Sequence, residues 1–155
     1  MSRTTVGWLW VAGQAVLLGA LVLVPGGDAW SKPTWLTALA GVLFFGGLAL
    51  VAVAALGLGA ALTPTPVPTR AGELQTTGLY RFVRHPIYTG VLVTVAGITL
   101  RSGSWVQVAI AAVTVGFFDR KAAWEERQLR DRYPDYGAYA ARTPKFVPGL
   151  VRRQR

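Results

Sequence analysis

The sequence predicts an all-α, polytopic membrane protein with about four transmembrane helices, including a short C-terminal helical hairpin and a cytosolic helical tail. Three observations predict it. Apolar residues make up 52% of the chain and charged residues only 15%. The apolar residues collect into long runs rather than alternating with polar ones, which is the pattern of spanning helices. The formal net charge is +9, and the basic residues flank the runs instead of forming the continuous soluble basic surface that nucleic acid binding needs.

Val6 to Val24 is the first run, long enough for a bilayer core that takes roughly 20 helical residues. A cleaved signal would be shorter and would end at a small-residue site, which Pro25-Gly26-Gly27-Asp28 does not offer. Trp35 to Leu62 is the second run. It exceeds a straight crossing and is expected to tilt, to bend near Gly46-Gly47, or to loosen at Gly57-Leu58-Gly59. Its Gly and Ala residues allow close helix contact.

Thr63-Pro64-Thr65-Pro66-Val67-Pro68-Thr69 should be extended and stiff, leading to turns at Gly72 and Gly78. Arg84-His85-Pro86-Ile87-Tyr88-Thr89-Gly90 then places the only histidine of the chain at the mouth of an apolar helix. Pro86 suits the first helical turn, His85 or its neighbour the cap, and the free N–H groups of that end can hold a ligand.

Pro86 to Leu100 and Trp105 to Phe118 form a third and a fourth helix. The short connector Arg101-Ser102-Gly103-Ser104 demands an antiparallel hairpin. The third run covers about 22 Å against a hydrocarbon core of about 30 Å, so its polar flank must sink toward the headgroups or snorkel. Four crossings put both termini on one side. With the termini inside, only Lys32 and Arg101 among the basic residues lie outside, which sets the orientation.

The tail after Phe118 reads largely as a cytosolic extension of the fourth helix. Lys121 with Glu125, and Glu126 with Arg130, have i, i+4 spacing and share a face. Tyr133, Tyr136 and Tyr139 suit an apolar docking face or an interfacial belt. With no cysteine and one histidine, thiol chemistry and disulfides are excluded and a protein metal site is not expected. No internal repeat or separable soluble domain is visible. Residues 1–155 are therefore expected to form one integral membrane domain, with an N-terminal helix pair over 6–62 and the ligand-binding half over 63–155.

Three ordered blocks carry a resemblance: the stretch from Gly78 through His85 and Pro86 to Gly90, then Glu125-Glu126-Arg127-Gln128-Leu129, then Arg132-Tyr133, Tyr136, Tyr139, Arg142-Thr143 and Phe146-Val147-Pro148. In these blocks the sequence resembles the isoprenylcysteine carboxyl methyltransferase-like family, with phospholipid methyltransferases as wider kin. The resemblance covers roughly the C-terminal half. It implies an S-adenosyl-L-methionine-dependent membrane methyltransferase whose lipophilic acceptor arrives from the bilayer. It assigns His85, Pro86, Tyr88 and Gly90 to one cofactor wall, with Glu125 and Glu126 opposite.

On that basis Tyr80, Phe146 and Pro148 are candidates for an adenine slot, and Arg142 either clamps a carboxylate of substrate or cofactor or closes the tail against Asp135 or a carbonyl. Glu126 is the catalytic candidate, with Arg120 or Lys121 steadying an anionic acceptor, although snorkelling at a helix end accounts for both equally. Glu126, Tyr88 or His85 could serve as base for a thiol, amine or phenol, whereas a carboxylate acceptor needs none. The expected location is the plasma membrane of a prokaryote with the active site cytoplasmic. Membrane lipids are expected partners and nucleic acid is not. The acceptor and the oligomeric state stay open. A phospholipid N-methyltransferase, a sterol-reductase-like enzyme and a non-enzymatic lipid-binding scaffold are the alternatives.

Overall fold

The computed structural model describes residues 2–59, 62–63, 65 and 73–149. Among them are five α-helices and no strand: α1 (Arg3–Leu23), α2 (Thr34–Leu58), α3 (Pro86–Ser102), α4 (Trp105–Arg132) and α5 (Tyr136–Arg142), with a 3-10 turn at Gly78–Arg81 before α3. Most of the polyproline-like stretch expected after Leu62, together with the turn at Gly72, lies outside the described residues.

Among the described residues, α1 and α2 are long and apolar enough to cross a membrane, and most of their apolar surface faces outward. Leu23 and Leu56 are both 81% exposed. A helix from the core of a soluble protein would hide these side chains. Helix α1 begins where Ser2 caps Thr5 N–H. Helix α2 stops at Leu58, short of the expected Leu62, because Gly59 turns the chain at φ 50°.

The tightest seam joins α2 to α3, and glycine makes it possible. A Cβ on Gly90 would stand 2.8 Å from the Gly47 carbonyl oxygen, and one on Gly97 would stand 2.6 Å from that of Ala40. Any larger residue would push the two backbones apart.

Helix α3 runs through Ser102, so the hairpin turn shrinks to Gly103 and Ser104. Gly103 takes the left-handed conformation at φ 64°, and Ser104 caps α4 through Gln107 N–H. The α1–α2 loop covers this turn: Gly27 and Ala29 N–H donate to the Ser102 and Gly103 carbonyls at 2.8 Å, and Trp30 donates to Leu100.

Helix α4 continues past Phe118 without a break to Arg132. Its buried stripe of Thr114, Phe118, Lys121, Ala122 and Glu126 starts uncharged and ends charged. Helix α1 rests on it through Trp10, whose ring centroid is 5.1 Å from that of Phe117, and through Gly13, which leaves room for the same ring.

Candidate functional site

His85 caps α3 with its backbone and Pro86 stands in the first turn, as that sequence pattern requires. The N–H groups of Arg84 and His85 are already taken. They donate to the carbonyls of Pro144 and Lys145 in the segment after α5, and the Thr89 hydroxyl donates to that of Phe146. The tail is thus laid along the start of α3 by two main-chain bonds and one from a side-chain hydroxyl. Lys145 ties it to α4 through Asp119 at 2.7 Å.

Beneath this strap lies a buried charge cluster. Arg84 pairs with Glu126 at 2.9 Å and also donates to the carbonyls of Ala140 and Thr143, so one guanidinium joins the 3-10 turn, α4 and α5. His85 Nε2 meets the same Glu126 oxygen at 3.1 Å, and Arg130 approaches the other at 3.4 Å. Burial by itself would raise the Glu126 pKa. The His85 hydrogen bond and the charges of His85 and Arg84 outweigh it and hold the carboxyl down to about 2.

Glu125 faces a different way. Its Oε2 accepts from the Tyr88 hydroxyl at 2.7 Å and stands 3.7 Å from His85 Nδ1, while the His85 and Tyr88 rings stack with centroids 5.2 Å apart. These groups border a cavity of about 240 Å³. Leu58, Ile87, Val91 and Phe118 give it an apolar side, and Tyr80, Tyr133, Tyr136 and Tyr139 an aromatic one. Glu73, Glu125, Lys121 and Gln14 are among its polar members, with Arg84 and His85 beside them.

Burial raises the pKa of Tyr80 and Tyr136 well beyond the ordinary phenol value, and burial with the nearby Glu126 charge brings Tyr139 to about 12 against the pull of Arg84. All three are neutral donors at neutral pH. Tyr139 donates to the Tyr80 carbonyl at 2.6 Å, whereas the Tyr136 hydroxyl is buried with no partner among the described residues. A buried donor left unpaired costs about 1–3 kcal/mol, so it marks a place where a ligand acceptor would be welcome.

Of the residues singled out from sequence, the cavity wall contains Tyr80, His85, Tyr88, Lys121 and Glu125. Glu126 lies behind it, engaged by Arg84 and His85. Pro86 and Gly90 shape the start of α3 and its seam with α2. Phe146 approaches the His85 ring at 6.0 Å, while Pro148 and Arg142 are exposed on the tail. Several lining residues were not foreseen as site members, among them Glu73, Arg84, Gln14 and Tyr136. Gln14 is a polar residue inside an apolar span, a signal that such positions carry. Tyr136 was foreseen only as part of a docking face.

A polar rim joined to apolar helices has a counterpart among known proteins, for residues 35–136 match the phospholipid methyltransferase family. The chain belongs to that family. The nickel-cobalt-cadmium resistance protein NccN of Alcaligenes xylosoxydans xylosoxydans is 31% identical over 152 residues, covering 97% of this chain and 67% of that protein. Protein-S-isoprenylcysteine O-methyltransferase B of Arabidopsis thaliana is 33% identical over 78 residues, 49% of this chain and 40% of its own length. The Schizosaccharomyces pombe protein-S-isoprenylcysteine O-methyltransferase is 30% identical over 77 residues, 48% of this chain and 33% of its own.

The chain therefore spans about two thirds of the NccN protein and two fifths or less of these two methyltransferases. Family membership and two outward-facing apolar helices support a membrane methyltransferase. Among the described residues no group of three His, Asp or Glu side chains is placed to hold a metal ion.

Proposed function

We propose that this phospholipid methyltransferase family member transfers a methyl group from S-adenosylmethionine to a lipophilic or membrane-delivered acceptor, and that the cavity beside Glu125 is where transfer occurs. Residues 1–155 act as one integral membrane domain. Helices α1 to α4 cross a prokaryotic plasma membrane, and the termini and the cavity lie on the cytoplasmic side. The observation that carries the reading is the composition of the cavity wall: carboxylates, one buried ammonium and an unpaired phenol stand beside leucine, isoleucine and valine from membrane-type helices.

The donor set fits the cofactor. Glu125 and Glu73 suit its cationic ammonium and sulfonium, and the tyrosine rings suit the sulfonium and the adenine. The Tyr136 hydroxyl and Lys121 can donate to its carboxylate or ribose oxygens. When bound, it supplies a methyl carbon already activated by the adjacent sulfonium. The protein's own work is then alignment and exclusion of water.

In this reading the Tyr88 hydrogen bond aims Glu125 into the cavity. Glu126, held low by Arg84 and His85, is a positioning residue that fixes the His85 ring rather than a proton acceptor. Pro86, Gly90 and Phe146 hold the start of α3, and Arg142 and Pro148 belong to the strap that covers it.

A phospholipid amine is the second acceptor class. Glu125 among tyrosine rings would also suit an alkylammonium headgroup. Calorimetric titration of S-adenosylhomocysteine into detergent-purified protein tests the cofactor assignment. Saturable binding is expected, weakened about tenfold or more by Glu125→Gln in a protein that still folds. Absence of binding in folded, lipid-supplemented protein would reject the reading.

A further inference from the structure

Lys121 is 3% exposed, yet among the described residues no carboxylate lies within ion-pair distance of it, and Glu125 acts on it only from further off. Its ammonium sits over the Tyr88 ring at 5.1 Å and the Phe118 ring at 5.6 Å. Its hydrogen bond goes across to α1, to Gln14 Oε1 at 2.5 Å. Among its direct contacts, two ring faces and one amide oxygen, the oxygen holds it most firmly, because a charge-assisted hydrogen bond is the strongest of the three.

The bond also fixes the amide. An ammonium has donors only, so Gln14 must turn its oxygen toward Lys121 and its two N–H groups the other way. Those N–H groups have no hydrogen-bond partner among the described residues, and both side chains line the cavity. The contact therefore places a cation of α4 and two neutral donors of the apolar helix α1 side by side on the cavity wall. An amide is costly in hydrocarbon unless paired, and here its pairing is with a cavity residue.

We propose that Gln14 is a positioning and specificity-determining residue, holding the Lys121 ammonium in the cavity wall and presenting its own N–H donors to an oxygen of the acceptor. This rests on the reading of the cavity as the methyl-transfer site. Gln14 lies outside residues 35–136, the part that matches the family. The first helix thus contributes to the site as well as to the membrane anchor.

Lysine acylation followed by peptide mass spectrometry tests this directly, since Lys32, Lys121 and Lys145 are the only lysines and separate cleanly. Loss of the amide oxygen in Gln14→Leu favours the neutral amine and frees it to move. Acylation of Lys121 at fixed pH is expected to quicken about tenfold, with Lys145 unchanged. Gln14→Asn, whose oxygen retracts by one methylene, should fall between, and Gln14→Glu should slow the reaction below wild type. Either variant keeps the test alive if Gln14→Leu does not fold.

Unchanged Lys121 reactivity in the folded variants, or a rise shared with Lys145, would overturn the proposal and leave Gln14 a packing residue. Protection of wild-type Lys121 by S-adenosylhomocysteine is read separately. Its absence would count against the cavity as cofactor site while leaving the Gln14 contact intact.

Discussion

The two adjacent glutamates of α4 have been given opposite duties by one helical step. Neighbours on a helix point about 100° apart, so Glu125 reaches the cavity while Glu126 turns to Arg84 and His85. Because the folded pKa of Glu126 lies below the ordinary value of 4.5, its ionised form stabilises the fold above that value, and the contribution is lost as pH falls from there through about 2. On the order of 3 kcal/mol is at stake. Thermal melts between pH 5 and 2 should show a steep loss in wild type that Glu126→Gln lacks, since the variant has already given up that stability at neutral pH. The sequence placed His85, Tyr88 and Glu125 near one another because the hairpin brings α3 and α4 to the same rim. The division of labour between Glu125 and Glu126 was not legible, since it depends on the rotation of α4, which the buried Phe118 and Thr114 set. Gln14 was marked only as a polar residue in an apolar span; its partner was hidden, because it is far along the chain and only the α1–α4 contact joins them.

At the scale of elements, the α2–α3 seam is held by the absence of side chains. Gly47→Leu should open it and cost several kcal/mol through overpacking, whereas Gly46→Leu, which meets nothing nearby, should be close to neutral. Detergent melts of the pair check this. Loss of stability in both would mean that the seam is not where α2 is constrained. The apolar runs announced α1 and α2, and Pro86 and Ser104 announced where α3 and α4 begin. Helix ends were less legible. Ser102 remained helical because the α1–α2 loop bonds to its carbonyl, a tertiary contact that no local pattern carries. The lay of the tail along Arg84 and His85 was equally hidden, for its partners, through both main-chain and side-chain bonds, are carbonyls, which every residue carries.

At the scale of the whole molecule, the distribution of basic residues predicts that both ends of the bundle's polar rim face the cytoplasm. The natural chain has no cysteine, so single substitutions report on orientation without a background. Asp28→Cys, on the α1–α2 loop, should react with a membrane-impermeant maleimide in intact cells. Asp135→Cys, at the start of α5, should react only after the cells are opened. The reverse pattern would invert the proposed orientation and put the cavity on the other side.

Helix α4 is one unbroken rod of 28 residues, about 42 Å long, with an apolar half and a charged half. On the proposed insertion, with the apolar half in the bilayer, the rod would behave as a lever whose fulcrum is the membrane surface. A thinner bilayer makes the embedded arm lean, and the free arm swings Lys121 and Glu125 with it. Bilayer thickness would then act on the cavity as a mechanical input, and methyl transfer would be tuned by the membrane that surrounds it. Cofactor affinity measured in short-chain and long-chain phosphatidylcholine nanodiscs should differ on this account, and a rod hinged near Phe118 would erase the difference.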